Sequence, residues 1–301
     1  MVMPMKLALG TAQLGMSYGV ANRSGQPDSA EARAVVAAAW AAGFRYMDTA
    51  QAYGESERVL GACLGELGLQ TQVAIISKFA PTSQPSVAGS VVASIRGSLA
   101  RLQVPGLHAC LLHHENMLEA WTSDWYPALQ PALAEGLLQQ GGASVYAPER
   151  ARQALALEGI GIVQLACNVM DRRLFRHGVL AAARQGGKQL MLRSLFLQGL
   201  LLMAPQALPA RLGFATPAVQ AFHTFCAGQR VAPLVFALGY VHRLAPDAIL
   251  VLGAERASQV VEMAGALAAV ETVSLELCQA WDAYWPDDDL RLINPAQWPP
   301  A

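Results

Sequence analysis

Short apolar runs alternate with longer amphipathic ones along this chain, and that alternation limits the fold more than any other feature. Eight runs read as strands, at 6–11, 44–48, 73–78, 107–112, 143–146, 162–166, 189–193 and 249–252. They are nearly continuous in apolar residues, the pattern of strands buried on both faces of a parallel sheet. Segments with apolar residues three and four apart fall among them, at 30–42, 55–67, 85–102, 125–139, 148–157, 217–227, 233–244 and 255–269. Eight such units in 301 residues predict an α/β fold, a (β/α)8 TIM barrel in preference to an open doubly wound sheet. No linker or long charge run divides the chain, so a single domain over 1–301 is expected. The segment 271–301 lies outside the repeat and reads as a tail packed over the outside or the mouth of the barrel.

Composition narrows the functional classes. The hydrophobic fraction is 53% and the charged fraction 14%, against about 25% charged in an average soluble protein; disorder is excluded. With 21 basic and 22 acidic residues there is no positive field for nucleic acid. Apolar stretches are broken well short of the roughly 20 residues of a membrane span. The piece at 7–9 is too short for a signal peptide. Five isolated cysteines without C-x-x-C spacing read as reduced and mostly buried, so a cytoplasmic protein is expected. The weakly charged exterior, with alanine-rich helices such as 30–42, suggests a homo-oligomer contact.

In such barrels the chemistry gathers at the C-terminal ends of the strands. There the sequence places Asp48, then Tyr53 five residues on, Lys78, and His113 beside His114. A phenol near pKa ~10 is too weak an acid at neutral pH. An adjacent ammonium stabilises its phenolate, a carboxylate keeps the ammonium charged and placed, and a histidine hydrogen-bonds a substrate oxygen. This set suits proton delivery to a carbonyl oxygen gaining negative charge. Taken singly, Asp48 and Lys78 could be a structural ion pair, and Tyr53 a packed surface aromatic. Adjacent residues in extended chain point to opposite sides, so one of His113 and His114 is expected to face the site unless the chain turns there. No metal-binding pattern accompanies them.

The run Asp48-Thr49-Ala50-Gln51-Ala52-Tyr53-Gly54-Glu55-Ser56-Glu57 resembles the active-site signature of the aldo-keto reductases. Gly10-Thr11-Ala12-Gln13, Ser77-Lys78, Leu111-Leu112-His113, Ala143-Ser144-Val145-Tyr146, Val163-Gln164 with Asn168, and Gly253-Ala254 with Gln259 follow the same family's order. The resemblance spans about 7–267. It implies a nicotinamide cofactor, usually NADPH, bound without a Rossmann domain, and a small-molecule carbonyl as substrate. It makes Tyr53 the general acid, Lys78 and Asp48 its tuners and His113 the group that orients the carbonyl. It places Gly10, Thr11 and Ala12 beside the cofactor, and Ser144, Gln164 and Asn168 at the nicotinamide. Arg193 stands where an aromatic often stacks on the ring, and Ser194 is expected beside the cofactor. Gly253, Arg256 and Gln259 are expected to meet the adenosine phosphate at a helix N-terminus. Ala254 and Met263 depart from the family's usual residues and leave NADH open. Two further readings share this sequence: a cofactor-binding sensor or accessory subunit, as in potassium-channel β subunits, and a metal-dependent barrel hydrolase or isomerase. Loops at 117–124 and 196–216, with Trp121, Trp125 and 200–203, are expected to give a partly hydrophobic substrate pocket.

Overall fold

In the computed structural model, which describes residues 5–87, 89–286 and 289–300, eight parallel strands close on themselves in sequence order. They are β1 Lys6–Gly10, β2 Tyr46–Asp48, β3 Ala74–Lys78, β4 Leu107–Leu112, β5 Leu138–Val145, β6 Ile160–Ala166, β7 Gln189–Arg193 and β8 Ile249–Gly253. Closure comes from β1 against β8, with Lys6 opposite Ile249 and Gly10 opposite Gly253. This is the (β/α)8 barrel that the periodicity predicts.

Two apolar layers account for the hydrophobic composition. Ala8, Ile76, Ala109, Leu111, Ile162, Met191 and Ile249 fill the barrel interior. Their strand neighbours, among them Leu7, Leu9, Ile75, Cys110 and Val163, face outward into a second layer beneath the helices. Alternation along each strand sends side chains to one layer or the other, so both faces must be apolar. All five cysteines are buried and free.

Helix ends follow local chemistry. Asp28 caps the helix Ser29–Ala41 by accepting from the Glu31 N–H at 2.8 Å. Gly68 ends Ser56–Leu67 in the left-handed conformation (φ +66°), which glycine adopts without a steric penalty. The helix expected over 125–139 is shorter, Tyr126–Ala134, because β5 begins at Leu138.

The tail packs on the outside. Its helix Leu275–Tyr284 buries Trp281 against Phe222, Phe225 and Phe236 of the helices Thr216–Gly228 and Pro233–Leu244. The Trp281 indole donates to the Val169 carbonyl at 2.8 Å, and Asp282 accepts from the Tyr240 hydroxyl at 2.6 Å. No helix among the described residues is long and apolar enough to cross a membrane.

Candidate active site

The strand ends bring Asp48, Tyr53, Lys78 and His113 together. Lys78 is 1% exposed, and its ammonium aims at three acceptors: Asp48 Oδ1 at 2.7 Å, the Thr49 carbonyl at 2.9 Å and the Tyr53 hydroxyl at 3.4 Å. An ammonium has three donors and no acceptor, so these contacts use its full capacity. Burial is the largest single influence and works against its charge. Asp48 and Tyr53 together outweigh it and raise the Lys78 pKa above its ordinary value. Asp48 Oδ1 also accepts from Gln164 Nε2 at 2.9 Å, and Ser144 donates to Gln164 Oε1 at 3.3 Å. A polar chain therefore crosses the barrel floor from Ser144 to Lys78.

The loop carrying Tyr53 is fixed by close approach. A Cβ at Gly15 would lie 1.9 Å from the Tyr53 carbonyl and 2.3 Å from the Ser56 nitrogen, so no other residue fits without moving that loop. Thr11 is fully buried; its hydroxyl donates to the Asp48 carbonyl at 2.9 Å and pairs with the Ser56 hydroxyl at 2.8 Å. Its side chain is occupied in joining β1 to β2.

His113 meets Tyr53 edge-on, ring centroids 5.5 Å apart. His114 stacks on His113 at 5.2 Å, so the chain turns after β4 and both rings reach one open depression with Glu115, Asn116 and Tyr146. The His113 Nδ1 is buried without a partner. Burial, then the nearby charges of Lys78, His114 and Arg193, pushes the His113 pKa from 6.5 down to about 3. The ring is neutral at physiological pH. The unfolded chain takes up a proton at this position below about 6.5 and the folded one does not until about 3. Stability is therefore expected to fall as pH drops through that window. His113→Gln should flatten this part of a urea-denaturation pH profile, and the ring's NMR shifts in the folded protein should still report neutral imidazole at pH 5.

A cavity of about 360 Å³ opens beside Tyr53 and Asp48. Gly10, Thr11, Ala12, Arg193, Ser194, Gly253 and Gln259 line it. Arg193 lies over the Tyr146 ring at 4.2 Å. The loop after β1 and the loop after β7 meet beside the cavity: Val20 and Ala21 both donate to the Gln198 carbonyl, at 3.1 and 3.4 Å. Ser194, Leu197 and Gln198 hold positive φ (63°, 48° and 57°), a cluster of strained backbone in the loop after β7.

Other expected site residues lie elsewhere. Ser144, Gln164 and Asn168 are buried and outside the cavity lining. Asn168 donates to the Ser194 carbonyl and accepts from Met170 and Asp171, which locks the turn after β6. Arg256 is exposed and also outside the lining. Trp121 and Trp125, expected at the substrate pocket, are instead 1% and 2% exposed in the outer apolar layer; Leu202 and Met203 do line the cavity. Polar lining residues that the sequence does not single out include Tyr18, Asn22, Glu255 and Glu262. Burial, with Tyr53 second, pushes the Tyr18 phenol up to about 12, although 39% of the residue is exposed. Among the described residues no cluster of His, Cys, Asp or Glu could hold a metal.

The family model for the aldo/keto reductase family matches residues 6–284. Two curated relatives named aldo-keto reductase, from Mycobacterium sp. strains KMS and JLS, are each 32% identical over 126 residues. Those matches cover 42% of this chain and 45% of each relative's length. The holo form of the aldo-keto reductase AKR11C1 from Bacillus halodurans superimposes with a TM-score of 0.77. It covers 97% of this chain and 94% of its own at 20% identity, a likeness of fold. With the match running from the first strand into the tail helix, the chain belongs to the aldo/keto reductase family.

Proposed function

We propose that this protein is an NAD(P)H-dependent oxidoreductase that reduces an aldehyde or ketone to an alcohol, with Tyr53 as the general acid. The observation that carries this reading is the Lys78 ammonium, buried at the cavity floor and directed at both Asp48 and the Tyr53 hydroxyl. A purely structural ion pair has no need of the third contact.

The residues present fit a nicotinamide dinucleotide. The cavity lining includes Asp48 and Tyr53, Arg193 and Ser194, Glu255, Gln259, Glu262 and Met263, with glycines at positions 10 and 253. When bound, the nicotinamide supplies the hydride that the carbonyl carbon receives. The chain's own groups handle the oxygen. Tyr53 donates the proton, and Lys78 stabilises the phenolate left behind through its charge and hydrogen bond. Asp48 keeps Lys78 charged and pointed, and Gln164 holds Asp48. His113, neutral and beside the Tyr53 ring, donates a hydrogen bond to the carbonyl oxygen without carrying charge into the site. Of the two phenols at the cavity, only Tyr53 has a lysine hydrogen-bonded to it; Tyr18 stays protonated. The reading is tested by incubating the purified protein with reduced dinucleotide and a panel of aldehydes and ketones, and following loss of nicotinamide absorbance.

A further inference from the structure

Among the described residues Arg193, which ends β7, is the one basic side chain in the cavity lining, and Asp48, Glu255 and Glu262 are the acidic ones, Glu255 just before the helix Ala257–Leu267 and Glu262 within it. With a reactive ring placed against Tyr53, the dinucleotide reading takes the adenosine ribose to the Glu255 and Glu262 side of this lining.

A helix N-terminus there would ordinarily serve a phosphate through free N–H groups and a positive dipole end. Here several of those groups are already taken. Gln259 Oε1 accepts from the Glu255 N–H at 2.9 Å and the Arg256 N–H at 3.2 Å. The Ala257 N–H donates to Glu31 Oε1 at 2.6 Å, a carboxylate brought across from the helix Ser29–Ala41. The anion at this helix start is the chain's own. Glu255 is 7% exposed and lines the cavity, yet its carboxylate takes no hydrogen bond or ion pair among the described residues. Arg256, the nearest base in sequence, is exposed and lies off the lining.

We propose that Glu255, with Glu31 seated on the helix start, makes this site select NADH over NADPH. The proposal rests on the reading that the cavity holds a nicotinamide dinucleotide, and it reverses the family's usual preference. A ribose with both hydroxyls free donates a hydrogen bond to this cavity-lining carboxylate, which is acceptor-only. A 2′-phosphate brings about −1.5 to −2 charges to the same point. It meets like charge on Glu255 and finds the Arg256 and Ala257 N–H groups occupied, so its binding weakens by on the order of tenfold or more.

The test uses the full-length protein and measures dissociation constants for NADH, NADPH, ADP-ribose and 2′-phospho-ADP-ribose by calorimetry. The unphosphorylated member of each pair is expected to bind about tenfold more tightly or better, and Glu255→Gln to shrink both gaps chiefly by strengthening the phosphorylated ligands. Glu31→Gln should act in the same direction. Equal or tighter binding of the phosphorylated ligands by the wild type overturns the proposal and leaves the dinucleotide reading standing. Gaps unchanged in a folded Glu255→Gln overturn the role given to Glu255. Failure of all four ligands to bind contradicts the dinucleotide reading and the proposal with it.

Discussion

Tyr53→Phe is expected to cut carbonyl turnover by about 10²–10⁴-fold, the usual share of a positioned general acid, while dinucleotide affinity stays near the wild-type value. The two effects separate because the hydroxyl is all that is lost. Lys78 keeps Asp48 and the Thr49 carbonyl, and the Phe ring can keep the edge contact with His113. Steady-state kinetics alongside calorimetric dinucleotide binding checks both halves. Turnover retained in the variant would give the acid's role to another group, with Tyr18 the nearest phenol to try. An alkaline shift in the pH profile alone would not account for the loss, since the variant carries no titrating group at this position.

Lys78→Met should cost both activity and folding stability. It removes the cation that stabilises a Tyr53 phenolate, and it leaves Asp48, 4% exposed, with only Gln164 donating to its carboxylate. Breaking one side of a buried pair costs roughly 3–5 kcal/mol, readable as a shift of the urea midpoint. Adding Asp48→Asn to Lys78→Met should recover part of the stability and none of the turnover, because no unpaired charge then remains buried. The pH dependence has a definite sign. Folded Lys78 titrates above its ordinary value of 10.5, so the pair's contribution is present in full below that pH. It is lost only as pH rises through the folded value. The part of the stability gap between wild type and Lys78→Met that comes from Lys78 is therefore expected to close in strong alkali.

Much of the barrel was legible because strands buried on both faces leave an unmistakable apolar run, as in Ile75–Ile76 or Leu190–Leu192. β5 was half hidden. Gln139 falls at the end of the helix expected over 125–139, and Gln140, Gly141 and Gly142 fall between it and the strand expected at 143–146, yet all four belong to a strand whose register shifts at the glycine pair. The glycines make room: a Cβ at Gly142 would lie 2.3 Å from Leu111 Cδ2, and one at Gly141 2.6 Å from Trp121. That same packing explains why Trp121 is part of the outer layer and absent from the mouth. Single-strand polar ends such as Asp48 and Lys78 stood out because charge is rare in such runs. Contacts between distant segments did not. Glu31 reaching Ala257, or Gln198 bridging to Val20, depends on which loops the closed barrel sets side by side, and no local spacing records it. Ser144 and Gln164 carry a similar lesson, since their polar groups join the relay to Asp48 and do not line the cavity.

In the proposed reaction this cavity moves a hydride from a nicotinamide to a carbonyl carbon while Tyr53 protonates the oxygen. The transfer is tested most directly by single-turnover reaction with dinucleotide deuterated at both positions of the nicotinamide C4, across an aldehyde and ketone panel. The account predicts an alcohol carrying one deuterium on the former carbonyl carbon, formed by the wild type and all but absent with Tyr53→Phe. Reduced dinucleotide that binds with a measurable dissociation constant yet transfers no label to any carbonyl would contradict it and point to a cofactor-binding accessory protein.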